Sequence, residues 1–116
     1  MNATLTALII PAKVSDPVRI EALGTGLEAL GYWVAGAVES ITRGDWEVYL
    51  NAEGTLIDLP ANLRAAQLMH VYGLDLGGVT RGTAVFLGRD AHGGKSEVPE
   101  HLIRRTEELF GVPRAA

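Results

Sequence analysis

Between Thr4 and Pro11 the chain reads Leu-Thr-Ala-Leu-Ile-Ile, a stretch too short for a stable helix and apolar at odd and even positions alike. A strand so patterned is buried on both faces and belongs in the centre of a sheet. Val18, Ile20 and Ala22 then alternate with Arg19 and Glu21, as a half-exposed strand does, and the two strands are expected to pair as a hairpin across the polar loop Ala12–Pro17.

Further along, Thr25-Gly26-Leu27-Glu28 has the form of a capping box, and Leu23, Leu27, Leu30 and Val34 recur at helical spacing behind it. A first helix is expected over about 26–35, with Gly36 as its stop and Trp33 in the core. Val38–Thr42 and Trp46–Leu50 read as strands joined by Arg43-Gly44-Asp45, with Trp46, Val48 and Leu50 on one face and Glu47 and Tyr49 on the other. Asn51-Ala52-Glu53-Gly54 suits a turn with left-handed Gly54, leading into a strand at Thr55–Asp58. Asn62 is placed to cap a second helix with Leu63, Ala66, Met69 and His70 along one stripe, ended by Gly73. Leu74–Gly82, including Gly77-Gly78, reads as loop, Thr83–Leu87 as a buried strand, and Arg89–Ser96 as a polar glycine-rich loop. Pro99 and Gly111 bracket a closing helix whose apolar face holds Leu102, Ile103, Thr106, Leu109 and Phe110. The order predicts a single α+β domain over residues 1–116, ordered from about 4 to 111, with a mostly antiparallel sheet of about five strands and three helices.

Composition narrows the function classes. The 116 residues hold no cysteine, which excludes disulfides and thiolate chemistry and fits a reducing compartment. A formal charge of −4 with scattered basic residues disfavours nucleic-acid binding, which needs a positive footprint. No apolar run approaches the roughly 20 residues of a membrane span, and no basic segment precedes the first apolar stretch. A cytoplasmic protein is expected.

Catalytic and metal patterns are weak. Gly88-Arg89-Asp90-Ala91-His92-Gly93-Gly94-Lys95-Ser96 follows a strand and ends like a phosphate-cradling loop, but Gly88 lies one residue too early for that geometry. A residual anion loop of Gly93, Gly94 and Lys95 is the remaining reading. His70, His92 and His101 show no ligand spacing, Glu97 and His101 suit a surface contact, and His70 suits the end of its helix dipole. No nucleophile stands beside a base, so neither a catalytic set, a metal nor a cofactor is expected.

One segment carries more than packing requires: Tyr49-x-Asn51-x-Glu53-Gly54-x-Leu56-x-x-Leu59-Pro60-x-Asn62-x-Arg64-Ala65. It resembles the domain-of-unknown-function 3846 family, whose members read Tyr-x-Asn-Glu-Glu-Gly-Lys-Leu-x-x-Leu-Pro-x-Asn-x-Arg-Ala. Leu30–Val34 with Val38-Glu39, Gly82–Gly88 and Val98-Pro99-Glu100 resemble its flanking elements, so the similarity spans about Thr4 to Phe110. Ala52 stands where the family has an acidic residue, and Leu63 where it often has proline. The resemblance implies a phage or mobile-element source. Two uses of the segment are open. As architecture, Asn51 and Gly54 shape a turn, Pro60 and Asn62 start a helix, and Arg64 pairs with Glu53 or Asp58. As a surface, Tyr49, Asn51, Glu53, Asn62 and Arg64 bind a partner or an anion. The expected function is a small phage or mobile-element accessory protein binding a host or phage protein, such as a host or defence protein it inhibits; the alternative is a small-ligand protein that binds phosphate or a nucleotide. A homodimer is open, because an exposed sheet edge or apolar face would favour one.

Overall fold

The computed structural model describes residues 4–76 and 80–115. Strand β1, Thr4–Ile10, lies inside the sheet, antiparallel to β2 (Arg19–Gly24) on one side and to β5 (Ala84–Arg89) on the other. β4 (Trp46–Asn51) pairs with β5, and β3 (Val38–Arg43) with β4, so the five long strands run β3-β4-β5-β1-β2. Two-residue additions complete the sheet: β6 (Lys95–Ser96) against β5, and β7 (Arg114–Ala115) parallel to β2. The architecture is α+β and mostly antiparallel. Gly77-Gly78, expected in a loop, lie outside the described residues.

Strand alternation divides the core into two layers. Leu8, Ile10, Trp46, Val48, Leu50, Ala84 and Phe86 pack on the side covered by helices α2 (Leu63–Val71) and α3 (Glu100–Phe110). Ala7, Ile9, Tyr49, Val85 and Leu87 pack on the opposite side, under α1 (Leu27–Val34). β1 and β5 thus contribute to both layers, as a run apolar at every position must. The closing helix presents Leu102 and Thr106 to the core, Thr106 bonding back to the Leu102 carbonyl at 2.8 Å.

Several local expectations are corrected. The helix begins one residue later than a capping box requires: Gly26 is the N-cap, extended and without a side-chain bond, and Leu27 is exposed. Leu30 and Val34 face inward, while Trp33 is only partly buried. Ala35, not Gly36, takes the left-handed cap, with φ 65°. Residues 52–58 form no strand but coil into successive turns, with Ile57 N–H bonded to Glu53 O and Leu59 N–H to Gly54 O. The left-handed residue there is Asp58, not Gly54. The inward stripe of α2 is Ala65, Leu68 and Met69; Leu63 and His70 are exposed.

Candidate binding corner and cleft

The Asn51–Arg64 segment runs past the ends of α1, β1 and β5, and three of its side chains fasten those ends. Asn51 leaves the last residue of β4 and donates from Nδ2 to the carbonyls of Val34 and Ala35 at 3.0 and 3.2 Å. Its Oδ1 accepts from Glu53 N–H at 2.7 Å, an Asx turn that bends the chain and draws residues 52–58 away from strand geometry. Gly36 is required beside it, because a Cβ there would come within 2.8 Å of the Asn51 amide nitrogen.

Asn62 is fully buried and saturates three groups. Nδ2 donates to Ile10 O and Gly82 O, each at 2.8 Å, while Oδ1 caps α2 through Ala65 N–H at 3.0 Å. Arg64 holds the β1–β2 loop: Nη2 lies 2.8 Å from Pro11 O, 2.9 Å from Lys13 O and 2.8 Å from Asp16 O. Desolvation lowers the pKa of this guanidinium and neighbouring Asp16 opposes the shift, so it stays charged at any physiological pH. The expected pairing of Arg64 with Glu53 or Asp58 does not form. Backbone carbonyls of the loop crowd its fork, and Arg81 takes Asp58 at 3.5 Å while donating to Leu59 O at 2.9 Å. Arg81 lies in a stretch whose sequence reads as loop, and nothing in its spacing singles it out.

The remaining expected residues stand apart from this corner. Tyr49 is buried on the α1 side, its hydroxyl donating to Glu47, which in turn pairs with Arg89 at 3.3 Å. Desolvation, then the Glu47 bond and charge, raise the Tyr49 pKa well above the ordinary phenol value, against a smaller opposing effect of Arg89. Lys95 Nζ sits 5.9 Å from the Tyr49 ring centroid. In the loop before it, Gly94 N–H bonds the Asp90 carboxylate at 2.8 Å, and Gly93 N–H bonds Asp90 O at 3.1 Å. The amides an anion would need are therefore occupied by the loop's own aspartate. Gly88 serves close packing, since a Cβ there would collide with the Glu97 carbonyl. Glu97 accepts from Thr6 N–H instead of meeting His101, which bonds Asp45 at 2.9 Å and Tyr72 at 2.9 Å.

Several of the groups that Asn51, Asn62 and Arg64 hold, Pro11, Lys13, Asp16, Val34 and Gly82 among them, line an open cleft at the end of β1. Two adjoining hollows of about 350 and 340 Å³ share Pro11, Asp16 and Thr83. The first adds Ile9, Pro17, Arg19 and Trp33; the second adds Lys13, Val34, Leu59 and Pro60. On chain segments that adjoin its lining residues, Val14, Leu56, Ile57 and Leu63 are 74, 83, 53 and 72% exposed. Among the described residues no group of three or more His, Asp or Glu is arranged to hold a metal, and no helix is long and apolar enough to cross a membrane.

Fold and corner together define a small α+β domain whose most specified segment works as an internal fastener beside an open cleft. The chain belongs to the family described as Domain of unknown function (DUF3846), whose model matches residues 5–111. No curated protein matches it. A crystal structure of the small RNA methyltransferase HEN1 shares the fold at a TM-score of 0.61 and 14% identity, over 91% of this chain and 16% of that one. The chain thus corresponds to a small part of that protein, and at this identity the likeness is one of fold.

Proposed function

We propose that the chain is a small accessory protein of a phage or mobile element that binds a host or phage protein in the bacterial cytoplasm and thereby inhibits a host or defence protein. The source is what the family resemblance implies. The observation that supports the binding mode is the apolar rim: Val14, Leu56, Ile57 and Leu63 are exposed on three segments, the β1–β2 loop, the 52–58 turns and the start of α2. Exposed apolar side chains scattered singly mean little, but these stand on segments held by the hydrogen bonds of Asn51, Asn62 and Arg64, which would preorganise them for contact. The cleft beside them offers a pocket for an anchoring side chain.

Quantitative capture from host lysate tests this reading with three proteins: the wild type, a Leu56→Ser/Ile57→Ser variant, and a Tyr32→Ser variant on the exposed face of α1. A stoichiometric partner retained by the wild type and Tyr32→Ser but lost by the double variant is the expected result. Equal retention by all three, or no stoichiometric partner across several hosts, refutes it.

A second reading is a small anionic ligand held at the cleft margin by Lys13 and by Arg19, which would have to share its guanidinium with Glu21 at 3.0 Å. A ligand that binds the native state raises the thermal midpoint by mass action. A shift with phosphate or nucleotides in large excess, abolished by Arg19→Gln, selects that reading; no shift removes it.

A further inference from the structure

The sheet ends on one side in β3, which pairs with β4 and with no other strand among the described residues. An uncovered edge strand is a template for another strand unless something blunts it. β3 carries no proline and no bulge, is continuous over Val38–Arg43, and exposes Glu39, Ser40, Thr42 and Arg43. Nor is it guarded by charges of one sign.

Its backbone polarity follows from the hairpin. Ala37 O accepts from Ala52 N–H at 2.8 Å, and a two-residue turn separates the Arg43↔Trp46 pair. In an antiparallel ladder, bonded and non-bonded pairs alternate. Odd-numbered residues of β3 therefore bond with β4, and Val38, Ser40 and Thr42 direct their N–H and C=O groups outward. Their side chains and that of Ile41 also divide cleanly: Ile41 packs toward the α2/α3 layer and Val38 toward the α1 layer.

We propose that β3 pairs antiparallel with β3 of a second copy of this chain, Ile41 facing Ile41 across the two-fold axis. The outward groups permit only registers that set even residues opposite even ones. Among these, placing Ser40 opposite Thr42 sets Glu39 opposite Arg43 twice, once on each side of the axis. Sliding toward the N-terminus by two residues puts Ser40 on the axis and Glu39 opposite Ile41, which loses both charge pairs; sliding by four sets Glu39 opposite Glu39. Sliding the other way sets Glu39 opposite Asp45. Opposite charges directly facing stabilise a pair and like charges destabilise it, so the register that sets Glu39 opposite Arg43 twice is favoured over its neighbours, of which one loses both pairs and the other adds like charges. Arg43 is preset for this contact: its Nε donates to Tyr72 O at 3.1 Å, which fixes the guanidinium and leaves terminal nitrogens for the second copy's carboxylate. The interface is small, so the dimer is concentration-dependent, with a dissociation constant on the order of micromolar to tens of micromolar.

Sedimentation velocity across about 1–200 µM, a span bracketing that constant, tests the proposal. The wild type shifts from monomer to dimer with rising concentration. Glu39→Arg and Arg43→Glu each remain monomeric, with dissociation at least tenfold weaker, but an equimolar mixture of the two dimerises again, because opposite charges then face each other at both positions. Ser40→Pro, which removes an outward N–H and no bond to β4, abolishes the dimer while circular dichroism reports an intact fold. A wild type that stays monomeric throughout overturns the proposal. So does a mixture of the two charge variants that fails to associate while both are folded.

Discussion

Replacing Asn62 with alanine isolates what the corner contributes. The side chain is wholly enclosed and makes three bonds, two donated to Ile10 O and Gly82 O and one accepted from Ala65 N–H. Alanine leaves two buried carbonyls without that donor, at about 1–3 kcal/mol each. It also removes the α2 cap, worth about 1 kcal/mol. Each carbonyl keeps a second lone pair and the site can relax, so the expected loss is about 3–5 kcal/mol, a large share of the roughly 5–15 kcal/mol that holds a domain folded. In urea, with a slope of about 1–3 kcal/mol/M, the midpoint falls by roughly 2 M at unchanged slope. Asn62→Ser keeps a capping oxygen but reaches neither carbonyl, and recovers only about 1 kcal/mol of the loss. A loss below about 1 kcal/mol for Asn62→Ala, or complete rescue by serine, refutes the view that this residue joins β1 to β5.

Arg64→Ala frees the β1–β2 loop, so limited proteolysis cuts within 12–17 faster, with a stability loss of about 2 kcal/mol from the charge-assisted bonds. Gly88→Ala drives a methyl group into the Glu97 carbonyl and destabilises by roughly 2–3 kcal/mol in the same urea assay. Tyr49 has a folded pKa raised above the 10.0 of a free phenol, so its contribution is complete below pH 10 and is lost as alkali first ionises the unfolded chain. Urea midpoints measured at about pH 8 and pH 11 therefore diverge more for the wild type than for Tyr49→Phe.

Strands that alternate or are apolar throughout were legible in the sequence, because burial on one or both faces writes itself directly into residue order. β1, β4 and β5 show this, and so does the turn at Gly44, which has φ 59°. The turns at 52–58 were not legible. Leu56-Ile57 has strand-like hydrophobicity, but the Asx turn of Asn51 redirects the chain before a strand can start, and both side chains end in solvent. The α2 stripe was not legible either: Asn62 marks where the helix begins, but the residues that turn inward, Ala65, Leu68 and Met69, depend on how the helix packs on the sheet. Asn62 as a cap followed from local pattern, whereas its bonds to Ile10 and Gly82 span 52 and 20 positions and the loop contacts of Arg64 about fifty, which no local spacing encodes. The same distance concealed the cleft, whose walls come from five separate segments.

The account holds that the motif side chains fasten from within and that the rim around them makes the contact. Amide hydrogen exchange of the chain with its captured partner, read against the free chain, tests both halves together. Added protection concentrated in residues 12–17 and 52–63, with α3 unchanged, is the predicted footprint. Protection centred on the 89–96 loop or on α3, with the rim exchanging as freely as before, contradicts it.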